Sequence, residues 1–282
     1  MNIELQQNIF QGGQPVEIEL PDSWDVEYHA LPGDSCSPLS KQQILEKLRR
    51  PYGSKPLFEL AQNAREVCIV FDDITRGTPV RPMAEAVLEE LHRAGIRKEQ
   101  IRFLCATGTH AAQNLWDHTL KLGEEITRNY PVYNHNPYDN TVCIGRTKRG
   151  LDISVNAEFM RCDLRIGLGA LTPHTMNAFG GGVKMLFPGL GGIDSIAPNH
   201  VLASDYLHAR HLGKSAMMGN LAMDCMRTEL EEVAAMAGQF FKVDCIYNTR
   251  LEPVDLYAGD PVAEYYAAVP AARKLYAVTP AR

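Results

Sequence analysis

Residues 66–79 read EVCIVFDDITRGTP. An apolar run of strand length passes directly into two aspartates, a threonine, an arginine and a Gly-Thr-Pro turn. A short apolar run closed by turn residues reads as a buried strand. The same pattern recurs at 101–110, where IRFLCA leads into Thr107-Gly108-Thr109-His110, and at 164–174, where LRIGLGA leads into Leu171-Thr172-Pro173-His174. Helical patterns fall between these strands. Residues 81–94 carry Pro82 near their start and Gly95 beyond their end, and a second helix is expected around 114–122. Strands alternating with helices predict an α/β fold with a mostly parallel, Rossmann-like sheet covered on both faces. In such a sheet, ligands sit beyond the carboxyl ends of the strands, which is where the three polar clusters lie.

Away from these runs, VEIEL at 16–20 and residues 25–29 read as short strands, and KQQILEKLRR at 41–50 as a helix ending before Pro51. Further strands are expected at 141–145, 153–156 and 241–247. Helices are expected over 217–237 and 261–275. A chain of 282 residues can bury a large core. Its formal net charge of −6 and lack of a Lys/Arg block argue against nucleic acid as a partner. No run is long and apolar enough for a membrane span. The N-terminus MNIELQQNIF does not read as a signal peptide. Seven scattered cysteines without a C-x-x-C pair suggest neither a zinc knuckle nor a disulfide framework. A reducing compartment, the cytoplasm, is expected.

The stretch from Pro173 to His200, PHTMNAFGGGVKMLFPGLGGIDSIAPNH, reads as a site. Lys184 is the only Lys or Arg between Arg165 and Arg210. A long cation among glycines and apolar residues is either a desolvated reactive amine or an anion ligand. The segment is not a Walker loop, because Met185 follows the lysine. Each piece also has a plain structural reading. Asp73 and Thr75 suit a helix cap, Arg76 suits a staple to Asp72 or Asp73, and His200 suits a polar helix start. Together they describe a small-molecule site. Two histidines on separate strand ends can act as acid and base from opposite sides of one substrate, and an arginine can grip a carboxylate.

The set Asp73-x-Thr75-Arg76, Gly108-Thr109-His110, Pro173-His174, Gly-Gly-Val-Lys184-Met-Leu-Phe-Pro-Gly and Asn199-His200 resembles the lactate racemase family over roughly residues 10–260. The resemblance implies a racemase or epimerase of a small 2-hydroxy acid. Its members use a nickel-pincer nucleotide, which would be joined to Lys184 through a thioamide, with His200 as the protein ligand of nickel. Asp73, Ile74, Thr75 and Arg76 would line the cofactor, with Arg76 also near the substrate. His110 and His174 would be the paired acid/base residues. Cofactor-synthesis enzymes would be required partners. Two departures stand out. Gly77 occupies a position often held by proline, and Thr175-Met176-Asn177 differs from the pattern of lactate-specific members. The resemblance sets residues 1–260 as the family's N-terminal domain and 261–282 as the start of a second domain or a tail. An absent second domain would leave a non-catalytic cofactor-binding module as the alternative. A zinc lyase or hydrolase built on His110, His174 and His200 is a further one.

Overall fold

The computed structural model describes residues 1–5, 10, 14–210, 218–224 and 226–279. Its centre is a six-stranded sheet built from β3 (Val67–Asp72), β4 (Ile101–Ala106), β5 (Val132–Asn134), β8 (Leu164–Ala170), β9 (Phe241–Tyr247) and β10 (Pro253–Gly259). The order across the sheet is β10-β9-β8-β3-β4-β5, parallel throughout except for β10, which runs antiparallel at one edge. Chain direction across the sheet therefore reverses between β3 and β8, and a crevice opens at their carboxyl ends.

Period-two alternation explains why the sheet is covered on both sides. Val67, Ile69 and Phe71 of β3 enter one core with helices α1 (Lys41–Leu48) and α3 (Val80–Arg93). Cys68 and Val70 enter the opposite core with Val183, Phe187 and α8 (Arg227–Ala237). Ser40 and Gln43 form a reciprocal cap on α1.

Several boundaries differ from the sequence reading. Residues 25–29 form no strand; β2 (Val16–Glu19) pairs instead with β1 (Asn2–Leu5), in a two-stranded antiparallel sheet of their own. Strands β6 (Thr141–Arg146) and β7 (Asp152–Asn156) pair with each other, outside the main sheet. The helix expected over 217–237 begins at Arg227, after a 3-10 turn at Leu221–Met223; Met217 and Cys225 lie outside the described residues. A 17-residue helix, α7 (Ile193–Ala209), occupies a stretch for which the sequence reading expects no element, with Pro198 inside it. The segment set apart at 261–282 contains α9 (Ala263–Tyr276). Its Tyr265, Ala268 and Val269 pack with Ile246 of β9 and with Leu171 and Phe179, so this helix shares a core with the sheet. No helix among the described residues is long and apolar enough to cross a membrane.

Candidate active site

The polar segments after β3, β4 and β8 meet above the crevice. Asp73, Thr75, Arg76, His110, His174 and Lys184 line one cleft of about 340 Å³, and His200 reaches it from α7. Ile74 is buried instead, with its backbone N–H on Gln113 Oε1, and its side chain is not part of the cleft wall.

The turn after β4 closes with His110 N–H donating to Thr107 O. This places His110 Nδ1 2.7 Å from Asp73 Oδ2. Asp73 is 2 % exposed, whereas His110 is exposed to solvent. Burial alone would raise the Asp73 carboxyl. Hydrogen bonds from Thr75 and His110 outweigh it and hold the group below the usual carboxylate range. An ionised Asp73 accepts from Nδ1–H, which leaves His110 Nε2 facing outward with its lone pair.

Lys184 stands on a 3-10 turn, Gly182–Met185, fed by three glycines. Gly181 has φ +81°, and a Cβ there would lie 2.6 Å from Asp244 Oδ2, so glycine is required both by conformation and by space. Lys184 Nζ lies 2.7 Å from His174 Nε2. Burial, with the charges of Arg76 and Arg227, lowers the Lys184 amine to about 7. Burial, with Lys184 and Arg76, lowers His174 to about 3. Both groups are thus carried neutral or readily neutral near physiological pH, in a crevice where cations repel one another.

His200 lies inside α7, beyond Pro198, and not at a helix start. Its Nδ1 is 3.0 Å from the Ile196 carbonyl one turn earlier. Donation from Nδ1–H to that carbonyl fixes the tautomer and leaves Nε2 as an open donor atom, the arrangement a metal-ligating histidine uses.

Some supporting residues are missing from the sequence reading. Lys121 of α4 (Leu115–Leu122) is 2 % exposed and donates to Asp72 Oδ1 at 2.7 Å, Arg76 O at 2.9 Å and Thr78 O at 3.1 Å. It staples the loop that carries Arg76, so Asp72 pairs with Lys121, Asp73 with His110, and the Arg76 guanidinium with neither. In β9, Lys242 and Asp244 are fully buried and paired. Asp244 also accepts from Gly182 N–H, so its carboxylate holds the glycine turn from below. Nearby, burial and Asp244 push the Glu264 carboxyl well above its usual range, so it is carried as the neutral acid. One signal for the Lys242–Asp244 pair is visible in FKVDCIY: opposite charges two residues apart on one face of an apolar strand. Gly77, the departure from proline, has a structural counterpart. A Cβ there would meet Tyr247 Oη at 2.9 Å, and Tyr247 itself lines the cleft.

No group of three His, Cys, Asp or Glu side chains among the described residues is placed to hold a metal ion. The zinc reading of His110, His174 and His200 is therefore not supported: His110 is turned to Asp73, His174 to Lys184 and His200 to the Ile196 carbonyl, and the three do not converge on one point. The family model of the lactate racemase N-terminal domain matches residues 11–210, most of the chain. The chain belongs to the lactate racemase N-terminal domain family. A lactate racemase of Thermoanaerobacterium thermosaccharolyticum is 25% identical over 224 residues, covering 78% of this chain and 51% of that protein. The structure of the lactate racemase apoprotein from the same organism superposes with a TM-score of 0.78 at 24% identity, covering 98% of this chain and 63% of that one. A crystal structure of a protein from Thermotoga maritima gives a TM-score of 0.69 at 20% identity over 88% of this chain and 61% of that one. These likenesses show the shared α/β fold. The chain spans about half the length of the curated lactate racemase it matches.

Proposed function

We propose that this chain is the cofactor-binding domain of a racemase or epimerase of 2-hydroxy acids, dependent on a nickel-pincer nucleotide, working in the cytoplasm alongside the enzymes that make that cofactor. The observation that carries this reading is the convergence on one cleft of a neutral-prone lysine, a histidine with an open Nε2, and two further histidines on separate strand ends. The donor set fits such a group. A nickel held largely by its own cofactor needs a single protein nitrogen, and His200 Nε2, with no carboxylate behind its ring, is left open for one. Lys184 Nζ is the amine available for a covalent link, and Arg76 lines the cleft without a carboxylate partner among the described residues.

The bound nucleotide would supply the site that takes and returns the α-hydrogen of the substrate. The protein's own part is to position and to move a proton. Arg76 orients the substrate carboxylate. His110 Nε2 takes the hydroxyl proton of one enantiomer, and Asp73 steadies the imidazolium that results. His174, across the cleft, is the acid/base group for the other enantiomer once Lys184 is joined to the cofactor and its amine no longer accepts from Nε2–H. Asp244 and Lys121 hold the two loops that carry these groups.

Co-production with the cofactor-synthesis enzymes, followed by intact mass, peptide mapping and nickel analysis, tests the reading. The expected result is a mass gain on the peptide containing Lys184 together with bound nickel. An unmodified Lys184 and no nickel under those conditions overturns it.

A further inference from the structure

The hydrogen bonds of His174 say more than where it sits. Met176 N–H donates to His174 Nδ1 at 3.1 Å, so that nitrogen presents a lone pair and carries no hydrogen. A neutral imidazole with a bare Nδ1 has its hydrogen on Nε2, and Nε2 is the atom 2.7 Å from Lys184 Nζ. A lysine ammonium has three donors and no acceptor. The contact closes only when Nζ is a neutral amine accepting from Nε2–H. The lowered titration of both groups agrees with this geometry.

The other charges at the cleft are already engaged. Lys242 is paired with Asp244, Arg227 with Asp224 and the Phe179 carbonyl, and Asp73 with His110. Arg76 is exposed, lines the same cleft, and has no anionic partner among the described residues. An amine with a lone pair, an adjacent hydrogen donor and a cation awaiting an anion share one small cavity.

We propose that, when the chain carries no cofactor, Lys184 condenses with 2-oxo acids to form a Schiff base, with Arg76 receiving the carboxylate. The Nζ lone pair attacks the ketone carbon, a C–N bond forms, and the carbonyl π pair moves to oxygen. As His174 Nε2 gives its hydrogen to that oxygen, it receives one from the nitrogen. The same exchange then releases the hydroxyl as water, and the nitrogen loses its last hydrogen to Nε2. One water leaves and no electrons are transferred, so no further reactant is needed. An amine occupied in this way is closed to any other covalent partner. The proposal rests on this chain's own groups and not on the nickel reading: the unloaded chain tests the one, and nickel content of the loaded chain tests the other.

The probe is pyruvate with cyanoborohydride at neutral pH, applied to the full chain made without the cofactor-synthesis enzymes and followed by peptide mass mapping. The expected result is a reduced adduct on the Lys184 peptide that forms about tenfold faster than at any other lysine, on the scale that one buried, oriented amine confers. Adducts spread over the surface lysines, with Lys184 no faster, overturn the proposal. Propanal, which lacks the carboxylate, separates the two halves of the claim. In Arg76→Gln the ratio of pyruvate to propanal labelling at Lys184 is expected to fall about tenfold, the scale of one charge-assisted hydrogen bond. An unchanged ratio removes Arg76 from the proposal. The wild-type mapping stands even if that variant folds poorly.

Discussion

His110 and His174 flank β3 from opposite sides, one after β4 and the other after β8, and their surroundings are opposites. His110 is exposed and backed by a buried carboxylate. His174 is partly buried and backed by an amine, with Arg76 and Arg227 close enough to repel a proton. The first has a carboxylate beside it to steady an added proton; the second is surrounded by cations that repel one. The lesson is that two residues placed symmetrically by the fold are made unlike by what stands behind them, so losing each support should have a different signature.

The largest effect is expected where the comparison can be broken outright. Asp73→Asn leaves an amide facing His110 Nδ1, which favours the wrong tautomer. Interconversion by the loaded chain should fall on the order of a hundredfold or more. The fall should be equal in both directions, since enantiomers have equal free energy. Mass gain at Lys184 should be unaffected; activity within a few-fold of wild type would remove Asp73 from the mechanism. On the other side, Asp244→Ala strands Lys242 as a buried charge and frees Gly182 N–H. Denaturant unfolding should show a loss of about 3 kcal/mol. The double change Lys242→Met/Asp244→Ala should recover most of that stability but not the rate of loading at Lys184, because the glycine turn has still lost its anchor. Full recovery of loading would make Asp244 a purely structural residue.

The sequence made one layer of this contrast legible and hid the other. Residues 66–71, 101–106 and 164–170 are apolar runs ending in polar clusters, so their strands and the residues just beyond them can be read directly. β10, PVDLYAG, is an edge strand with mixed burial and no clean alternation, and it leaves no such mark. α7 is hidden by Pro198 and by its many small residues, which is why His200 reads only as a polar helix-start residue. The supports are harder still. Lys121 lies 49 residues from Asp72, and Lys242 and Asp244 sit within a strand. Each acts by closing a buried hydrogen-bond network that only the assembled sheet creates. Residues that face a ligand gather at strand ends; the residues that brace their loops do not.

The smallest expected effect is also the one that separates the two histidines without any cofactor. His174 has its folded-state value lowered from 6.5 to about 3, first by burial and then by Lys184, Arg76, His200 and Arg227. Between those values the unfolded chain binds a proton that the folded chain refuses, so unfolding free energy must fall as pH falls through that window. Gln at the same position does not titrate. From pH 6.5 to about pH 5, wild type should therefore lose about 1–2 kcal/mol relative to His174→Gln. Asp73 works in the same sense but in a lower window: with its folded value lowered below 3.8, its stabilisation is complete above 3.8 and begins to fade only beneath it. Asp73 is therefore silent over the range compared. Denaturant unfolding of both proteins at the two pH values reads the difference. Parallel loss by wild type and variant would mean that His174 is free to take a proton in the folded chain, and the contrast between the two histidines would be lost.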